Sequence, residues 1–232
     1  PTTTVPRPHA TAVRPDGPAP APPAALRDVR VIGDPGTAAD VARALRALGA
    51  DARTTGSADP AVDRPSAVVL CAVPSVSPAG ETDGHPGTAH RIDHELVDHL
   101  LALGIPRQYC HREGAIVWIE PPALEPGDVT AAHVRARRLA ATPAHRELAA
   151  HWRGAAVEEP APPLSVETRA LLASILAADL AEVCGVLPPD TALPPVRRRL
   201  RRLDSATGTV TTHPVFPVPA VAPLPIPRKA SA

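Results

Sequence analysis

Gly33-Asp34-Pro35-Gly36 stands between a β-branched run and a helically spaced segment. This is where a nucleotide phosphate meets a helix N-terminus, whose free N–H groups and dipole attract an anion. A GxGxxG fingerprint starting at Gly33 needs glycine where this chain has Pro35 and Ala38. Pro35 has no N–H to donate, and Asp34 would repel phosphate. Gly33, Asp34 and Gly36 are therefore read as a vestigial cofactor turn, with a purely structural tight turn as the alternative. His90, His94 and Asp98 fall at i, i+4 and i+8, a stripe that could ligate a metal. A solvated polar face explains the same spacing, and no metal is expected. Arg197, Arg198, Arg199, Arg201 and Arg202 form the strongest charge run, a candidate contact for a peptide or an anion. On a strand, alternate arginines point to opposite faces, so only part of the run can make one patch; a solvated edge that discourages aggregation is the other reading. No Ser/His/Asp or Cys/His grouping suggests a nucleophile, and no catalytic residue is assigned.

The elements that must position these residues have an α/β order. Val29 to Ile32 reads as a strand, broken at Gly33 to Gly36, after which Ala38, Val41, Ala42, Leu45 and Leu48 share a helix face that Gly49 ends. A short strand around 51–54 follows. Ala67 to Val73 is continuously apolar, as in a parallel strand buried on both faces. Residues 74–89 then read as a loop at its C-terminal end, where α/β sheets usually bind ligands. Ile92, Leu96, Val97, Leu100, Leu101 and Leu103 predict an amphipathic helix stopped by Gly104-Ile105-Pro106, with strands near 108–111 and 115–119. Thr142-Pro143 predicts a helix through Trp152, residues 158–163 a linker, and Ser165 the cap of a long helix faced by Leu171, Leu172, Ile175, Leu176, Leu180 and Val183. Residues 198–204 and 209–213 predict a hairpin. The domain reading is a Pro/Ala-rich disordered arm over 1–27, one folded unit over 28–219 and a Pro-rich tail over 220–232.

Composition narrows the function classes. Of 232 residues, 32 are proline, only 2% are aromatic and none is methionine, so the core must be built from Ala, Val, Leu and Ile. Formal net charge is zero, which counts against a dedicated nucleic-acid or membrane-surface protein. Three isolated cysteines, Cys71, Cys110 and Cys184, lack CxxC spacing and suit a reducing compartment. No run reaches the roughly 18 apolar residues of a membrane span. A cytoplasmic protein is expected.

In this order the elements resemble the ThiF-like (ubiquitin-activating-enzyme-like) partner proteins of azoline cyclodehydratases, which serve in making thiazole/oxazole-modified peptides. The residues that carry the resemblance are Val29 to Leu48, Arg91-Ile92-Asp93 through Gly104-Ile105-Pro106, Ile116 to Pro122 with Glu125-Pro126-Gly127, Arg137-Arg138 to Trp152, Leu203 to Gly208, and His213-Pro214-Val215-Phe216-Pro217-Val218-Pro219. The resemblance implies a Rossmann-like, ThiF-type parallel sheet flanked by helices. It also implies a scaffold that holds a precursor's leader peptide and presents its core to a separate ATP-using cyclodehydratase. The cysteine pairs that hold a structural zinc in that family would fall near Ala131 and Val134 and again after Pro219. Neither pair is present, so zinc is expected to be lost; ATP adenylation is unexpected for want of the glycine-rich turn. The winged-helix leader-binding module of the family does not fit within the arm.

The leading expectation is thus a non-catalytic accessory protein bridging a precursor peptide and a modifying enzyme. The rivals are a divergent Rossmann enzyme that adenylates or uses NAD(P), and a regulatory or nucleic-acid-binding protein using the arginine run. Sequence leaves the oligomeric state open, a homodimer included.

Overall fold

The computed structural model describes residues 26–55, 64–73, 94–152 and 162–219, with only the backbone at 94–95. The loop at 74–89, His90, most of the arm, part of the linker and the tail from 220 lie outside the described residues. Strand β1 (Val29–Gly33) leads into α1 (Pro35–Ala47), followed by β2 (Ala52–Thr55), β3 (Ala67–Ala72) and α2 (His94–Ala102). Next come β4 (Arg107–Glu113), β5 (Ile116–Ile119), α3 (Ala131–Ala141), α4 (His145–Trp152) and α5 (Val166–Val183). A 3-10 turn (Val196–Arg198) enters the final pair, β6 (Arg199–Asp204) and β7 (Val210–Pro214).

The strands form one seven-stranded sheet in the order β2-β1-β3-β4-β5-β6-β7. The first four pair in parallel and the last four antiparallel, sharing β4, so the expected parallel sheet is mixed and the C-terminal hairpin extends it. Strand β3 lies between two parallel neighbours, and its first five residues are buried, which is why its sequence shows no polar alternation. Side chains of successive residues go to opposite faces. Val69, Cys71, Cys110, Val117, Ile119 and Leu203 face α1 and α5, while Val68, Leu70 and Tyr109 face α2 and the start of α3. Helix α5 anchors the first layer through Leu172, Leu176 and Leu180, each at most 1% exposed and each contributing roughly 1.5–3 kcal/mol by burial.

Four local differences from the sequence reading have plain causes. Leu26, assigned to the arm, is buried in the core, and its carbonyl accepts from Asp51 N, so order begins before Val29. Leu96 and Leu103, assigned to an apolar helix face, are 37% and 41% exposed; Val97 and Leu100 pack on the sheet, Leu101 is buried, and Ile92 lies outside the described residues. Helix α3 starts at Ala131, where Thr130 accepts from His133 N and the His133 ring accepts in return from Thr130 N. This reciprocal cap uses histidine where the sequence rule looks for Glu or Gln. Asp179, inside the apolar face of α5, is 1% exposed because arginines from β6 reach it.

Candidate functional site

The turn after β1 lies where the strand order reverses, since β1 sends the chain to β2 on one side and β3 pairs on its other side. Open α/β sheets bind ligands at such a switch point. Here the chain fills the place with its own groups. Gly33 has φ +149°, and a Cβ built on it would stand 2.3 Å from the Cys71 carbonyl oxygen, so β1 and β3 meet too closely for any side chain. Asp34 caps α1: its Oδ2 accepts from Thr37 N at 2.9 Å, and its backbone oxygen accepts from Ala38 N at 2.8 Å. Pro35 is the first helical residue and offers no N–H. A carboxylate thus takes the place a phosphate would occupy at this dipole. Arg169 of α5 is held nearby by Asp40, Nε to Oδ2 3.1 Å. These residues do not fit a phosphate.

The arginine run divides as strand geometry demands. Arg199 and Arg201 point to the α5 face. Arg199 is buried and donates to Asp179, Glu182 and the Pro194 carbonyl, while Arg201 donates to both oxygens of Asp179. Burial would lower the Arg199 pKa, but Glu182 and Asp179 outweigh it and raise the value. Arg197 bridges Glu125 and Asp128, Arg202 lies 3.8 Å from Asp204, and exposed Arg198 stacks on the Phe216 ring at 4.9 Å. The five are not brought together into one patch.

Asp98 serves the fold. Its two carboxylate oxygens accept from Ala131 N (2.8 Å) and Ala132 N (3.1 Å), closing the start of α3 from α2, and Arg107 stands 3.3 Å away. His90 lies outside the described residues and the His94 side chain is not described. Among the described residues no group of three His, Cys, Asp or Glu side chains is placed to hold a metal. Where the resemblance implies a zinc-binding cysteine pair, Ala131 and Val134 are buried; Val134 packs with Val129, Leu200 and Val215 against Trp118. An apolar contact of this kind does not fit zinc.

A second polar centre, not legible in the sequence, lies beneath α3 and α4. The Glu113 carboxylate accepts from Trp118 Nε1 (3.0 Å), Trp152 Nε1 (2.8 Å) and the Arg138 guanidinium, and His111 Nε2 is 3.5 Å away. Burial pushes this carboxyl up, but the bonds from His111, Arg138 and Trp152 overcome it and hold it far below the ordinary 4.5. Arg138 lies between the two indoles, 4.1 Å from the Trp118 ring centre and 5.1 Å from that of Trp152. Deeper still, Glu120 is fully buried beside Arg107 (3.4 Å), and burial raises its pKa despite that charge.

No family model and no curated protein matches the chain. Among solved structures it is similar to the heterocyclase TruD at 15% identity and a TM-score of 0.51, over 83% of this chain and 27% of that one. It is also similar to a chain of the E. coli microcin synthetase McbBCD complex at 12% identity and 0.55, over 89% and 71%. With E. coli MccB the values are 10% and 0.51, over 84% and 64%. The fold is shared with these proteins. This chain spans little more than a quarter of TruD. A further McbBCD structure at 12% identity and 0.53 carries bound pro-MccB17. Among the described residues, no helix is long and apolar enough to cross a membrane.

Proposed function

We propose that this chain is a non-catalytic accessory protein of ribosomal peptide natural-product biosynthesis that presents a precursor peptide to a separate ATP-dependent azoline cyclodehydratase. The single observation carrying the non-catalytic part is the capped turn: Asp34 supplies a carboxylate and Pro35 withholds an amide where a phosphate would have to sit. Support for the peptide-modifying setting comes from the fold held in common with TruD and McbBCD. The chain needs neither ATP nor zinc of its own in this reading. Its work is to dock two partners.

The test mixes the purified chain with the cyclodehydratase and precursor encoded beside it, then follows association and heterocycle formation with and without the chain. Faster or more complete heterocycle formation in its presence supports the reading. No association and unchanged modification defeat it. Calorimetry with ATP, NAD and NADP addresses the enzyme alternative, because micromolar binding of any of them, worth about 8 kcal/mol, is incompatible with an acidic cap in the phosphate position.

A further inference from the structure

The chain has two tryptophans, one tyrosine and one phenylalanine, and all four lie on the side of the sheet that carries α3. Tyr109 packs with the start of α3, Trp118 and Trp152 clasp Arg138, and Phe216, 49% exposed, lies under Arg198 while Arg137 donates to its carbonyl. Over this cluster stands the α3–α4 helical hairpin; α3 buries Ala131 and Val134, whereas α4 has no fully buried residue among the described residues. Grooves of about 760 and 560 Å³ flank it, the first lined by Leu139, Ala140, His145 and Arg146 among others, the second by Trp118, Arg138, Glu147, Leu148 and His151 among others.

The hairpin is also basic in a chain of zero net charge. Between residues 131 and 152 stand Arg135, Arg137, Arg138 and Arg146 against one acid, Glu147. Arg138 is neutralised by Glu113. Arg135 stacks on the Trp152 ring at 4.7 Å and Arg137 donates to the carbonyls of Phe216 and Pro217, contacts that leave both charges uncompensated. Neither they nor Arg146 pairs with a carboxylate among the described residues. Half-buried tryptophan beside arginine is the composition that dominates binding energy at protein interfaces.

We propose that the α3–α4 hairpin is the docking surface for an acidic segment of another protein chain, whose apolar side chains enter the flanking grooves while its carboxylates meet Arg135, Arg137 and Arg146. Charge decides the occupant: a second copy would set one basic face against another. The proposal takes from the functional reading only that the chain works by docking a partner; the chemistry comes from the surface.

Both tryptophans border this face, so their emission reports on it. The probe is a synthetic peptide of repeated Glu-Leu-Asp-Leu, with a Lys-for-acid version as control. A saturable change in tryptophan emission with the acidic peptide is expected, weakened about tenfold in R135Q/R146E and by added salt, and none with the control. Arg146 has no ion-pair partner among the described residues, and circular dichroism checks that the variant is folded. No emission change, an equal response to the lysine peptide, or a variant that binds as well as the parent overturns the proposal. So does a dimer dissolved by R146E. If the precursor and cyclodehydratase are retained equally by parent and variant, this surface is wrong and the functional reading stands. If the acidic peptide binds but neither partner does, the functional reading falls and this surface stands.

Discussion

Arg199 Nη1 lies 3.1 Å from Asp179 Oδ1, with both side chains 1% exposed. Removing the arginine leaves a carboxylate buried on α5 with only Arg201 to answer it, whereas Arg202 on the opposite face of the strand is 35% exposed beside Asp204. R199A should cost about 3–5 kcal/mol in urea unfolding, while R202A should stay within about 0.5 kcal/mol. Equal and small effects would contradict a structural role for the inner arginines.

Gly33 leaves no space for a methyl group. G33A places a carbon against the Cys71 carbonyl in a backbone conformation that L-residues rarely adopt. Separating β1 from β3 at their C-terminal ends should cost at least about 3 kcal/mol, through strain and lost packing. Denaturation midpoints of G33A beside G49A, where nothing lies within 4 Å of the added carbon, separate steric overlap from the φ penalty alone.

Two carboxyls should shape the pH profile in opposite directions. Glu113 has its folded pKa below the ordinary 4.5, so its contribution is complete above that value and is lost as pH falls below it. Glu120 has its folded pKa raised above 4.5 by burial, so its contribution is complete below that value and declines as pH rises. E113Q should therefore lose roughly 2–3 kcal/mol at neutral pH and flatten the acid limb; E120Q should flatten the decline on the other side. Stability curves at several pH values, read by tryptophan emission, provide the check.

Metal removal should leave stability unchanged. Val134 occupies the place the resemblance gives to a zinc ligand and packs on Val129, Leu200 and Val215, so EDTA should move Tm by less than about 1 °C. V134A should instead cost about 1–2 kcal/mol through the cavity it opens. A large chelator effect would show that a metal ties this region together.

Sequence reveals what short-range rules encode. Continuous apolarity exposed β3, Asp34 and Gly33 announced the turn, and Ser165 with its leucines marked α5, because each signal lies within one helical turn or one strand. The structural role of the arginine run was hidden, since Arg199 meets Asp179 across 20 positions and Arg197 meets Asp128 across 69. The Glu113 centre was hidden for the same reason: Trp152 reaches it from 39 residues away. Asp98 was misleading in another way. Its spacing from two histidines suggested a ligand, yet the amides it accepts from are 33 and 34 residues on.

That contact joins two helices by something firmer than packing. Because Asp98 closes the first turn of α3, sliding α2 alone along the sheet would strip two amides of their acceptor, and the contact opposes that displacement.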